Sequence, residues 1–140
     1  MTVAPVVDDD AAAALFACLL WQAPNPGSVS NGGEALDEYL DSAGYRRSDI
    51  PQAEQDALLD EFTDFCRLNR ADIVAFMAHT HRSMSDVAHD WVLTRNRHGT
   101  GFWDRCCCGQ DDAADRLTQA CRPYGGIDVV VGADGLLHIQ

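Results

Sequence analysis

The seventeen residues His89–Arg105, HDWVLTRNRHGTGFWDR, gather two Trp, one Phe, three Arg, two His, two Asp and two Gly. Guanidinium, imidazole and carboxylate groups are costly to bury, whereas large aromatic rings build cores. A segment rich in both is where chemistry is to be sought. Arg95, Asn96, Arg97, His98, Gly99 and Gly101 form the candidate ligand site. Arginine offers a planar fork of donors that fits phosphate or carboxylate, and glycines let backbone N–H groups close on an anion. The competing reading is a long twisted hairpin whose arginines pair with Asp90 and Asp104 while the glycines make a bulge. The sequence leaves these two open.

His89 beside Asp90, and His98 with Asp104, invite acid–base chemistry, because histidine titrates near neutrality and a carboxylate can orient it. No nucleophile accompanies them in a recognisable motif, and Ser83 and Ser85 read as helix caps. No catalytic residue is assigned, and the chain is expected not to be an enzyme. His79 and His81 lie two apart and face different sides of a helix. Cys106, Cys107 and Cys108 are adjacent, without the roughly two to four intervening residues of a zinc knuckle. Neither a metal nor a cofactor is therefore expected. Cys18, Cys66 and Cys121 fall on apolar helix faces, where cysteine acts as a small hydrophobe.

The chain has 140 residues, with 22 acids against 10 basic residues, all of them Arg, for a formal net charge of −12. The imbalance sits in the first half: residues 1–64 hold 13 acids and only Arg46 and Arg47, whereas residues 65–140 hold nine acids and eight arginines. Binding to nucleic acid needs cations facing phosphates, so direct nucleic-acid binding is not expected. A strongly negative face steers towards a basic partner surface instead. Asp37, Glu38, Asp41, Glu54, Asp56, Asp60 and Glu61, several at helical three- and four-residue spacing, are the candidate contacts. The Lys-free, Ala-, Asp- and Arg-rich composition equally fits a GC-rich or salt-adapted coding background. No apolar run reaches the ~20 residues of a membrane span. Asp8–Asp10 ahead of Ala11–Leu20 have the wrong sign for a secretory signal. A cytoplasmic protein with no membrane contact is expected.

The elements that must position these groups follow from period and punctuation. Ala11–Gln22 reads as a helix with Asp8–Asp10 at its positive end. A loop by composition covers residues 23–33, and a short helix spans Glu34–Ala43 with Gly44 as its stop. Pro51 opens a helix whose Leu58, Phe62, Phe65 and Cys66 form a buried stripe. Asn69 caps a further helix over Asp72–His79 that uses Ile73, Phe76 and Met77. The period then changes: Trp91-Val92-Leu93-Thr94 and Phe102-Trp103 flank a Gly-containing polar connection, a hairpin signature. Asp111 and Asp112 start a last helix with Leu117, Ala120 and Cys121 on one side. In the tail, Ile127–Ile139 forms two strands around Asp134-Gly135. The expected fold is α+β: N-terminal helices packed on a small antiparallel sheet of two β-hairpins, about 91–105 and 127–139, with a helix between them. A single domain is expected over 1–140, with an acidic helical half at 1–88 and an α+β half at 89–140. Trp91, Phe102 and Trp103 are expected in the core.

The central segment resembles a group of small proteins of tailed bacteriophages and prophages that share a run like HDFWLTRNGHGAGFWDR. In that group an amphipathic segment and a strand–Asp-Gly–strand tail follow; the counterparts here are Asp112–Cys121 and Ile127–Ile139. The similarity covers the C-terminal third to half, and residues 1–55 are individual. The group has no described function, so the resemblance implies a phage origin and a role in an infected bacterium, without catalytic residues. Arg97 stands where a glycine is usual, which makes a left-handed turn there less comfortable. The Cys106–Cys108 run is a second departure. Two functions follow as expectations. One is an acidic interaction protein acting on a host or anti-phage-defence component, through the carboxylates named above and by mimicry of nucleic acid. The other is a module in which Arg95, Arg97 and His98 hold a phosphate-bearing small molecule such as a nucleotide. An enzyme using His89 or His98 ranks behind both.

Overall fold

The computed structural model describes residues 6–25, 39–97, 101–102 and 112–140. Helix α1 spans Asp9–Gln22, and its N-cap Asp8 accepts the Ala11 N–H at 2.8 Å, satisfying one of the orphan donors of the first turn. Leu15, Phe16, Leu19 and Cys18 are buried against the rest of the protein, chiefly along α4. The corner after α1 is held by a bridge between Pro24 and Tyr39 and by the Leu40 N–H donating to Ala23 O at 3.0 Å. Of the helix expected over Glu34–Ala43, residues 34–38 lie outside the described residues. Residues 40–44 form turns instead, ending at Gly44 with φ +94°.

Helix α2 (Gln52–Leu68) starts after Pro51, as expected, and buries Leu58, Phe62, Phe65 and Cys66 on one stripe. Helix α3 (Arg70–Thr80) follows with Ile73 and Phe76 buried. Asn69 divides the two differently from the expected cap. Its side-chain amide donates back to Phe65 O at 2.9 Å and closes α2, rather than accepting from α3. Helix α3 stops at His81, which takes the left-handed conformation with φ +57°.

Helix α4 (Met84–Arg95) corrects the expected first hairpin, because Trp91–Arg95 form its last turns rather than a strand. The start is fixed by a reciprocal capping box: Ser83 Oγ accepts the Asp86 N–H, and the Asp86 carboxylate accepts the Ser83 N–H at 3.0 Å. Val87, Ala88, Trp91, Val92 and Arg95 then recur at the three- and four-residue spacing of one helical face, and all are buried. Residues 98–100 and 103–105 of that expected hairpin lie outside the described residues, Trp103 among them.

Helix α5 (Ala113–Cys121) runs on into a 3₁₀ turn, Arg122–Tyr124, and packs on α3, where Arg116 Nε meets Asp72 Oδ1 at 2.7 Å. Strands β1 (Val129–Val131) and β2 (Leu137–Ile139) pair antiparallel with Val130 opposite His138. In the loop that joins them, residues 132–136, Gly135 N–H donates to Gly132 O at 3.0 Å and Gly135 has φ +82°, a conformation cheap only for glycine. The architecture is α+β, with the two-stranded sheet at the C-terminal end of a helical body. One apolar cluster runs from α1 to β2. Its centre is Trp91, fully buried, with ring centroids 4.9 Å from Phe62, 6.0 Å from Phe65 and 6.2 Å from Tyr124. Phe102 is fully buried too, stacked on Phe65 and edge-on to Phe76. No helix among the described residues is long and apolar enough to cross a membrane.

The tail hairpin is docked onto α2 by a histidine between two carboxylates. His138 Nδ1 lies 2.9 Å from Glu54 Oε2, and its Nε2 lies 2.9 Å from Asp134 Oδ2. Hydrogen bonds to the Glu54 and Asp134 carboxylates raise His138 above its ordinary 6.5. Glu54 is held below 4.5, first by the Ile139 N–H and then by His138. Asp134 is held below 3.8, first by the Leu136 N–H and then by His138. A raised histidine contributes stability that is full below its unfolded value and lost as pH climbs through its folded one. Lowered carboxylates contribute above their unfolded range and lose it in acid. Docking is therefore expected to be strongest between about pH 4.5 and 6.5 and to weaken on the alkaline side. Comparing melting temperatures of wild type and His138→Gln from pH 5.5 to 9 should show a decline in wild type that the variant lacks. Parallel curves would remove His138 from the latch.

Candidate functional site

The last turn of α4 carries the expected ligand residues, and the structure gives each a separate job. Arg95 is buried, with its guanidinium 4.7 Å above the Trp91 ring and 5.4 Å from Tyr124. Its Nε donates to Gly125 O at 2.8 Å, one terminal nitrogen donates to Tyr124 O at 3.0 Å, and the other pairs with Glu61 of α2. Burial pulls the guanidinium below its usual value, the Glu61 carboxylate opposes that shift, and the group stays charged. Arg95 is thus a structural tie between α2, α4 and the chain after α5. Its acidic partner among the described residues is Glu61 rather than the expected Asp90, and Asp104 lies outside the described residues.

Asn96 is spent in the same way. Its amide nitrogen donates to Gln22 Oε1 at 2.9 Å and to Ile127 O at 3.0 Å, while its carbonyl accepts the Ile127 N–H at 2.6 Å. Gly101 is required by close packing: a Cβ there would collide with the Thr94 side chain, whose Oγ1 accepts the Phe102 N–H at 3.1 Å. Of the candidate set, Arg97 alone remains a side chain open to solvent; His98 and Gly99 lie outside the described residues. Arg97 is the residue after the C-cap of α4 and sits at φ +51°, with its N–H donating to Thr94 O at 3.2 Å. This is the left-handed helix stop that glycine usually fills, so an arginine here costs about 1 kcal/mol.

Around Arg97 the chain opens into a cleft of about 970 Å³. Gln22 and Pro24 at the end of α1, Thr94–Arg97 at the end of α4, Thr118, Cys121 and Arg122 at the end of α5, Gly125, Gly126 and Asp128 line it. Sequence reasoning missed Arg122 and Asp128. The signal was slight: a basic residue in the last turn of a helix, ahead of Pro123 and a Gly-Gly pair. The Cys121 thiol is also in the lining, but burial pushes it up to about 12, as it does Cys18 and Cys66, so none is a ready nucleophile at neutral pH.

The acidic candidates divide similarly. Glu61 neutralises Arg95, and Glu54 accepts the Ile139 N–H at 2.8 Å besides holding His138, so both already have partners within the chain. Asp41, Asp56 and Asp60 are exposed, and Asp64, not anticipated, stands with them. Asp37 and Glu38 lie outside the described residues. His138 was also unforeseen, although the alternation Leu137-His138-Ile139 sets it on the face opposite two core residues. Its carboxylates occupy opposite ring nitrogens, so the three groups do not converge on one metal position. His89 Nδ1 lies 4.0 Å from the buried Asp90 carboxylate, and the Cys18 thiol of α1 donates to His89 O at 3.6 Å. Neither a protein-family model, nor a curated protein, nor a solved structure matches this chain.

Replacing Arg95 by Met should lower stability by about 2–4 kcal/mol, because it leaves Glu61 without its partner and removes charge-assisted bonds to the Tyr124 and Gly125 carbonyls. Arg97→Gly should do the reverse and gain about 0.5–1 kcal/mol by relieving the left-handed arginine. Urea denaturation of the two variants checks both signs. A neutral Arg95→Met would show that the tie is ornamental.

Proposed function

We propose that the protein is a non-enzymatic interaction protein that presents carboxylates to a basic surface of a macromolecular partner. The observation that supports the reading most directly is the row Asp56, Asp60 and Asp64, exposed along one side of α2 at four-residue intervals. A four-residue step advances about 6 Å along a helix, so the row sets out negative charge at a regular pitch comparable with phosphates on a nucleic-acid strand. Among the described residues, Asp64 pairs with the exposed Arg67 at 3.6 Å, and Asp56 accepts from Gln52 at 2.9 Å. Exposed pairs of that kind hold little energy and give way to a partner. Asp41 adds a further exposed carboxylate, and the net charge of −12 supplies long-range attraction to a cationic target. The likeness of the central segment to phage proteins points to a partner in a bacterial host or its defences, at a surface that ordinarily holds nucleic acid.

Electrostatic competition is salt-sensitive, since charges separated by more than about 10 Å are screened at 0.1 M. Native mass spectrometry of the tagged protein enriched from host lysate should show a protein adduct at low salt that disappears at about 0.5 M. The Asp41→Asn, Asp56→Asn, Asp60→Asn, Asp64→Asn variant should retain less than a tenth of it. A complex indifferent to salt, equal retention by the variant, or no adduct at all sinks the reading.

A further inference from the structure

The cleft behind α4 involves none of the carboxylates of the α2 row, and its chemistry is different. Three helices, α1, α4 and α5, end at it, so their C-terminal carbonyls give it a negative cast that does not favour a bare anion. Against that background it presents two exposed arginines, Arg97 and Arg122. Unlike Arg95, neither guanidinium makes an ion pair or a hydrogen bond among the described residues, in a chain with more than twice as many acids as bases. Arg97 moreover holds a backbone conformation that glycine would take at lower cost. Strain kept at a cleft-lining residue is the kind of outlier that function explains. The opposite need is met by Asp128. Its backbone is fixed by paired bonds with Gln140, at 3.2 and 2.8 Å, and the residue is exposed and belongs to the lining.

We infer that this cleft binds a nucleoside monophosphate, with Arg97 and Arg122 on the phosphate and Asp128 on a donor of the base or sugar. Two guanidinium forks suit one dianionic phosphate, which a single charge-assisted contact would hold only weakly. A lone carboxylate suits an amino or hydroxyl donor and disfavours a second phosphate. A volume of about 970 Å³ exceeds what inorganic phosphate needs and lies within the range of small-molecule sites. Gln22 and Asn96 are already bonded to each other and shape the wall; the Asn96 amide has spent both its N–H donors, and the Gln22 amide donates to Leu19 O at 3.0 Å.

The test is an NMR titration of the full chain with adenosine 5′-monophosphate, with inorganic phosphate and adenosine as half-ligands. The monophosphate should shift backbone resonances of residues 94–97, 122–126 and 128, with at least tenfold tighter binding than either half. Arg97→Gly and Arg122→Gln should each weaken it by roughly tenfold or more. Arg97→Gly should melt a few degrees higher than wild type, so that its loss of binding cannot be put down to unfolding. Asp128→Asn should narrow the advantage of the monophosphate over inorganic phosphate. The inference is overturned if millimolar monophosphate shifts none of these resonances. Inorganic phosphate binding equally well, or both arginine variants binding like wild type, overturns it too.

Discussion

The buried guanidinium of Arg95 is the constraint on which the rest of the molecule depends. It lies over Trp91 at the centre of the aromatic cluster, neutralises Glu61 of α2 and donates to the carbonyls of Tyr124 and Gly125. A charge is tolerated there because its partners come from several segments at once and Glu61 keeps one side in water. The cluster, the register of α2 against α4 and the exit of the chain from α5 therefore share one fixed point. Asn96, the next residue, carries the tie outward to Gln22 and Ile127, so α1 and the start of the tail are referred to the same helix end.

This division of labour explains why the central segment reads as a binding motif while most of it is buried in structural bonds. Polar side chains in a core must have their hydrogen-bonding capacity met, and a helix C-terminus surrounded by other helix ends offers many carbonyls to meet it. Arg95 and Asn96 take that role, Thr94 and Gly101 close the return of the chain to Phe102, and among the segment's described residues that line the cleft Arg97 is the exposed one. Charge in α2 is sorted by the same logic. Glu54 and Glu61 turn inward to cations, and Asp56, Asp60 and Asp64 face water.

Local rules made much of the fold legible. The acidic cap before α1, Pro51 before α2, the apolar stripe of Leu58, Phe62, Phe65 and Cys66, and the Asp134-Gly135 turn are all short-range signals, and each predicts what is found. Trp91-Val92-Leu93-Thr94 misled because its residue types favour strands, whereas its environment is set by the capping box upstream and by burial on a helical stripe. The site was legible only as a concentration of arginine and glycine. Which arginine is buried depends on carbonyls some thirty residues away and on Glu61, 34 residues upstream, and no spacing rule encodes such long-range partners.

Glu54 has a consequence beyond its pairing with His138. In the β1–β2 register the N–H of Ile139 points away from β1, towards the open edge of the sheet, and the Glu54 carboxylate occupies it. An unoccupied strand edge is a template for pairing with another chain, so this carboxylate shields the short sheet from strand addition and self-association. The shield is electrostatic and fails when the carboxylate is protonated. The chain as a whole approaches zero net charge near pH 4.5, where mutual repulsion between molecules also fades. In mildly acidic surroundings, then, colloidal repulsion is lost first, and the guarded edge of β2 becomes the last barrier to aggregation.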